Sequence, residues 1–235
     1  THEDGYMVLK VGQTTYIDQI IERFELDGDE YKPRTTPLPQ ASSISELQRK
    51  FENYKHDESI EAWATKFSYP MIIGSLIHAM VHTRPDIAYA VSVLSRAMSK
   101  PKSWHYRAAK HLILYLKGTR TLGLEYRQAD MHKYNSKRIT ATVQEDEYNP
   151  YLEASVDASF ADDDETSRST SGFVIWFCGF PIEWECKRQP LVTMSTMESE
   201  YVAASKCVLS IRFLHKFLDF VNLTREYPTK IHEDR

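Results

Sequence analysis

Residues 151–159 read YLEASVDAS, and the alternation within them decides the fold of the C-terminal part of the chain. Successive side chains of a strand point to opposite faces, so Leu152, Ala154, Val156 and Ala158 share one face, and Glu153, Ser155, Asp157 and Ser159 the other. Asp157 is therefore a carboxylate on the polar side of a half-buried strand. Downstream, the apolar run 172–178 and the alternating Ile182, Trp184 and Cys186 flank the turn Gly179-Phe180-Pro181, which predicts a three-stranded meander. A long helix is expected from Ser195 to about Val221, with Met197, Tyr201, Ala204, Val208, Ile211, Leu214 and Leu218 on one stripe. Residues 229–232 have the length of a strand start, and the intervening helix makes them a crossover strand lying beside the first.

Upstream the period is mostly helical. Residues 6–11 read as a strand, and a helix from Thr15 carries Tyr16, Ile17, Ile20, Ile21 and Phe24 on one face before Gly28. The run KPRTTPLPQ, 32–40, predicts an extended connector, and the polar stretch 41–58 loosely ordered chain. From Tyr69 to about Tyr115 the pattern predicts three helices, broken near Pro85 and Pro101 because proline lacks an amide proton and disfavours helix before it. Their core residues are Ile73, Leu76, Ile77 and Met80, then Ile87, Ala90, Val91, Leu94 and Met98, then Ala108, His111, Leu112, Tyr115 and Leu116. Residues 122–126 read as a strand, and the polar, aperiodic stretch 128–149 as an interdomain linker.

The 235 residues, 42% hydrophobic, suffice for one large or two small cores. With 29 basic against 33 acidic side chains, no global positive field marks a nucleic-acid protein. The charge is concentrated locally: between Arg96 and Arg138 eleven Lys or Arg face two acids. Three dispersed cysteines without a CxxC pattern give neither a disulfide framework nor a zinc site, which fits an intracellular setting, cytoplasmic or nuclear. No apolar run reaches the roughly 18 residues of a membrane span. The first residues also lack the form of a signal peptide.

Three carboxylates are placed to converge. Asp157 and Asp234 belong to strands expected side by side, about 4.8 Å apart, with Glu198 at the start of the crossover helix. Carboxylates that close stay ionised only beside a cation, and a pair of Mg²⁺ ions roughly 3.5 to 4 Å apart is the usual arrangement for phosphodiester hydrolysis. Each residue also has a plain structural reading. Asp157 serves equally as a polar-face strand residue, and Ser195 to Glu198 is a capping box in which Glu198 would bond back to the Ser195 amide. Glu200 is a first-turn acid favoured by the helix dipole. Asp162 to Asp164 read as a solvated turn, Trp176 and Trp184 as sheet core, and His78, His82, His105 and His111 as helix-face residues without shared ligand spacing.

The stretch VDASFADDDETSRSTSGFVIWFCGFPIEWECKRQPLVTMSTMESEYVAAS resembles the ribonuclease H domain of copia-type LTR retrotransposon Pol polyproteins: a strand Asp, RSTSG, an apolar strand, PI-x-W, a Lys/Arg-Gln turn and S-T-x-E-x-E-Y. YPMIIGSLIHAMVHTRPDIAYAVSVLSRAMSKP and HYRAAKHLILYLKGTRTLGLEY resemble the segment that precedes it in those polyproteins, and the first forty residues the tail of the reverse transcriptase.

The resemblance implies an α+β protein. Its parts are a reverse transcriptase palm tail (1–40), a polar connector (41–68), a helical thumb or connection (69–127), a linker (128–149) and a ribonuclease H-like mixed sheet (150–235). It implies Mg²⁺- or Mn²⁺-dependent hydrolysis of RNA in RNA:DNA hybrids, with Asp157, Glu198 and Asp234 as catalytic metal ligands. Register selects Glu198 over Glu200. The family's fourth ligand lies beyond a further helix and strand, and the reverse transcriptase's paired aspartates lie upstream. The expectation for this sequence is thus a truncated domain with an incomplete two-metal site, inactive as it stands. Its alternatives are a non-catalytic nucleic-acid-binding remnant or a host interaction protein. The expected partners are the hybrid and the rest of the Pol polyprotein. Arg96, Lys100, Lys102, Arg107, Lys110 and Lys117 are the candidate phosphate track, set against a solvated helix face.

Overall fold

A computed structural model describes residues 2–3, 6–53, 58–128, 152–222 and 228–233. The chain divides into two compact units. One holds Val11–Leu124 with Asp162–Thr166, and the other Thr1–Lys10, Glu125–Ala161 and Ser167–Arg235.

The first unit is helical: α1 (Thr14–Arg23), α2 (Ile44–Glu52), α3 (Glu58–Lys66), α4 (Tyr69–His82), a 3₁₀ turn (Pro85–Ile87), α5 (Ala88–Ser95) and α6 (Ser103–Gly118). Helix α6 contacts each of α1 to α5 and buries Trp104, Ala108, Leu112, Ile113 and Leu116 among them. A helix apolar on most sides has to be central. The breaks fall at the two expected prolines. The polar stretch after residue 41 departs from expectation, because it forms α2, capped by Ser43, whose Oγ accepts from the Glu46 amide. Leu47 and Phe51 of α2 are buried, so two apolar residues at helical spacing outweigh the polar composition around them. Met98 is exposed rather than core, since α5 ends at Ser95.

The connector 32–40 runs along α6. Arg34 donates its amide to the Leu114 carbonyl at 3.1 Å, and a Cβ on Gly118 would stand 2.9 Å from Pro33, so the glycine permits the close approach.

The second unit contains two sheets. β1 (His2–Glu3), β2 (Tyr6–Val11) and β3 (Leu124–Arg127) form a small sheet in that order. β4 (Leu152–Asp163), β5 (Arg168–Phe177), β6 (Phe180–Arg188) and β7 (Lys230–Glu233) form a four-stranded sheet ordered β6-β5-β4-β7, with α7 (Thr196–Phe220) as the crossover. β5 and β6 pair antiparallel through a two-residue turn, Cys178 and Gly179, whose positive φ values of 52° and 83° match the type I′ geometry of hairpins. β7 lies parallel to β4, as expected of a crossover strand.

The sheet core packs Leu152, Ala154, Val156, Phe173 and Ile175 against Ala203, Cys207, Ile211 and Leu218 of α7. Two expectations are corrected here. The buried stripe of α7 is Ser199, Ala203, Cys207, Ile211, His215 and Leu218, while Met197, Tyr201 and Val208 face outward. An apolar-only count missed it because the buried line includes Ser199 and His215. Trp176 and Trp184 are half-buried on the opposite face of the hairpin from Phe173 and Ile175, Trp184 pairing with Val174.

Candidate functional site

Asp157 stands on β4 with its side chain exposed, on the face turned away from α7, because Val156 and Ala158 on either side of it pack toward that helix. The parallel register runs Glu153 to Lys230, Ala154 to Ile231, Ser155 to His232 and Val156 to Glu233. The next residues in sequence are Asp157 and Asp234. Asp234 lies outside the described residues. On this same face the Glu153 carboxylate is 3.8 Å from His232 Nε2.

Both candidate glutamates are on the first turns of α7. Glu198 accepts the Met194 amide on Oε2 at 2.6 Å and donates its own amide to Ser195 Oγ at 3.1 Å. The capping box forms with one change: the carboxylate reaches back to Met194, one residue before the expected Ser195. Glu198 is exposed and committed to the cap. Glu200 is half-buried, with its Oε2 out of solvent.

The start of α7 is held by a buried polar network. Gln189, fully buried, donates from Nε2 to Ser171 Oγ at 2.8 Å and to the Ser199 carbonyl at 2.9 Å, and its amide donates to the Ser169 carbonyl at 2.8 Å. Ser169 Oγ in turn accepts from the Ala161 amide and bonds Thr193 Oγ1, both at 3.0 Å. Three sequence motifs, RSTSG, KRQ and STMESE, thus meet inside the sheet unit. The sequence reading missed Gln189. A usable signal was that Ser169 and Ser171 share the β5 face of Phe173 and Ile175, where a polar group needs an internal partner.

Among the described residues no three His, Cys, Asp or Glu side chains stand together as a metal-binding group. Asp157 and Glu200 are oxygen donors of the type Mg²⁺ prefers. They do not by themselves make a metal site. Cys207 is buried, which pushes its thiol up to about 11 and keeps it un-ionised and inert.

The six candidate phosphate contacts separate sharply. Lys117 Nζ donates to the carbonyls of Leu26, Asp27, Gly28 and Tyr31 at 2.8 to 3.1 Å, closing the loop after α1. Lys110 is buried with its ammonium 5.0 Å from the Tyr31 ring centre, and Arg107 donates to the Phe51 carbonyl at 3.3 Å. Arg96 lies 3.6 Å from the largely buried Asp163 carboxylate. Lys100 and Lys102 are exposed, Lys102 with Glu165 at 3.8 Å. The solvated part of the track is therefore Lys100 and Lys102.

Asp162 and Asp163 are buried, not solvated as the sequence suggested, and Asp163 has the Arg96 guanidinium 3.6 Å away. Asp164 is exposed, and hydrogen bonds from Ser45 hold its carboxyl below the usual range. His105 caps α6, its Nδ1 accepting the Lys102 amide at 2.9 Å, and His111 bonds the Thr36 carbonyl at 3.0 Å. These histidines are structural.

The architecture defines a mixed α+β protein with a helical unit and a four-stranded sheet that carries an aspartate on an inner strand. No family model matches the chain, and no solved structure gives a significant match. The chain is 33% identical over 220 residues, 93% of its length, to the retrovirus-related Pol polyprotein from transposon TNT 1-94 of Nicotiana tabacum. It is 27% identical over 229 residues to that from transposon RE1 of Arabidopsis thaliana. It is also 36% identical over 138 residues to secreted RxLR effector protein 161 of Plasmopara viticola, covering 84% of that protein and 59% of this chain. The chain belongs to the retrovirus-related Pol polyproteins of copia-type transposons. It spans 15% of the length of the TNT 1-94 polyprotein and 13% of RE1. Among the described residues no helix is long and apolar enough to cross a membrane.

Proposed function

We propose that this part of the Pol polyprotein is its ribonuclease H region preceded by the end of its reverse transcriptase, and that it acts on RNA:DNA hybrids by metal-dependent hydrolysis of the RNA strand. One observation carries the reading: β4 and β7 pair in parallel up to Val156 and Glu233, directly before Asp157 and Asp234 in the two sequences. Parallel neighbours about 4.8 Å apart are the arrangement in which two such carboxylates would share a cation. The position of Glu200, half-buried where Glu198 is spent on the cap, supports Glu200 as the helix carboxylate in place of Glu198.

The test is incubation of the purified chain with a labelled hybrid and Mg²⁺ or Mn²⁺, beside Asp157→Asn, Glu198→Gln and Glu200→Gln. Cleavage abolished by Asp157→Asn and Glu200→Gln but retained by Glu198→Gln is the expected result. A second reading, hybrid binding without cleavage, draws on the exposed Lys100 and Lys102. Salt-sensitive retention of the hybrid with no products under either metal would favour it.

A further inference from the structure

The four helical histidines share no spacing as a set, but two of them do. His78 and His82 stand four residues apart on α4, both exposed, and residues at that spacing are neighbours on one helix face. Their ring centres are 4.2 Å apart, with the planes tilted by 30°.

His82 Nδ1 lies 2.8 Å from the His78 carbonyl oxygen. A carbonyl has no proton to give, so Nδ1 carries the proton and donates it, and the neutral ring keeps its bare lone pair on Nε2. Ligating histidines are commonly oriented in this way, with the second ring nitrogen tied to a backbone carbonyl or a carboxylate. The His78 ring also packs on the Tyr16 ring of α1, 4.5 Å away between centres. Tyr16 is anchored in turn, its hydroxyl donating to the Ser75 carbonyl at 3.2 Å. Two imidazoles are thus held side by side at the surface of the helical unit.

Two metal–nitrogen bonds of roughly 2.0–2.1 Å, set at a tetrahedral angle, span about 3.3 Å between the nitrogens. A turn of the His78 ring about its terminal torsion, which is soft in histidine, brings the pair within that span. Imidazole nitrogen suits Cu²⁺, Ni²⁺ and Zn²⁺, whereas Mg²⁺ takes oxygen. No third His, Cys, Asp or Glu joins the pair among the described residues, so water would complete the coordination.

We propose that His78 and His82 form a two-imidazole surface site for a divalent transition metal, Cu²⁺ binding more tightly than Ni²⁺ or Zn²⁺, which clamps the last turn of α4. The chelate needs both residues one turn apart, so it exists only while that turn is helical, and metal stabilises the folded helical unit.

The experiment is calorimetric titration of the full chain with Cu²⁺ or Zn²⁺ chloride, beside His78→Gln, His82→Gln and the double variant, with circular dichroism to confirm folding. Both side chains are exposed, so each variant should fold. The expected result is one Cu²⁺ per chain at this site, bound roughly tenfold or more tighter than Zn²⁺ and not displaced by excess Mg²⁺. Each single variant should weaken binding roughly tenfold or more, and the double variant no further, because half a chelate is no chelate. The electron paramagnetic resonance spectrum of the Cu²⁺ protein should show two imidazole nitrogens, lost in the double variant. A wild-type chain that binds neither metal overturns the proposal. So does a Cu²⁺ site that survives unchanged in the folded double variant, or single variants that each leave the affinity intact.

Discussion

Gln189 Nε2 lies 2.9 Å from the backbone oxygen of Ser199, so a fully buried side-chain amide ties the end of β6 to the first turn of α7. That turn carries Glu198 and Glu200, which makes Gln189 the support of the candidate site from below. Gln189→Leu keeps the volume but strips the Ser199 carbonyl and the Ser171 hydroxyl of their donor. Unpaired buried polar groups cost about 1–3 kcal/mol each. The expected loss is therefore ~2–4 kcal/mol in urea unfolding followed by tryptophan fluorescence. Gln189→Glu should be worse, because it buries a charge beside a carbonyl.

Arg84 gives a second, independent test in the helical unit. Its side chain is fully buried; Nε and Nη2 pair with both Asp86 carboxylate oxygens at 2.9 and 2.8 Å, and Nη1 and Nη2 donate to the Thr119 carbonyl and hydroxyl at 3.0 and 2.7 Å. The Tyr115 hydroxyl donates to the same Asp86 at 2.8 Å. Asp86 is exposed, so the charge left by removing Arg84 stays solvated, but the Thr119 carbonyl and hydroxyl lose a buried donor, at a cost of about 1–3 kcal/mol. Arg84→Met should lower helical-unit stability by that order. Arg84→Lys should recover little, because an ammonium cannot reproduce the two-pronged contact.

His105 makes stability depend on pH. Burial of the ring, which penalises the charged form, lowers its pKa to about 4 from the ordinary value near 6.5. The folded state thus resists a proton that the unfolded chain accepts. No penalty arises above pH 6.5, and stability falls as pH drops from there toward 4, at up to about 1.4 kcal/mol per pH unit. His111, lowered by burial too, contributes in the same direction. His105→Gln keeps a side-chain acceptor at the N3 position of the cap. It should preserve stability at pH 7.5 and flatten part of the loss between pH 6.5 and 4, as read from urea midpoints across pH.

How much of this was legible beforehand depends on which physical signal each element carried. The strand at 6–11, the crossover helix and the parallel return of β7 were readable because apolar periodicity and connection handedness act locally in sequence. Asp157's face followed from alternation alone. The buried polar groups were not readable, since Gln189, Arg84 and Lys117 look like surface residues until their distant acceptors are known. The two aspects of α7 misled for the reverse reason. Its outward face is as apolar as its inward one, so hydrophobicity could not tell which meets the sheet.

Lys117 and Lys102 should part company in a binding assay, although both were candidate phosphate contacts. Lys117 is surrounded by four carbonyls of the chain itself, whereas Lys102 is exposed. If Lys100 and Lys102 contact a hybrid, Lys→Ala at each should reduce the magnitude of the log–log salt dependence of binding by about 0.7–0.9, with unfolding unchanged. Lys117→Met should do the opposite. It leaves the salt slope of the folded protein intact and lowers stability by ~2–3 kcal/mol, because the carbonyls of Leu26 to Tyr31 lose their common donor. Measuring affinity from about 50 to 200 mM salt alongside urea unfolding separates the two roles. A Lys117→Met protein with unaltered stability and a shallower slope would return Lys117 to the phosphate track.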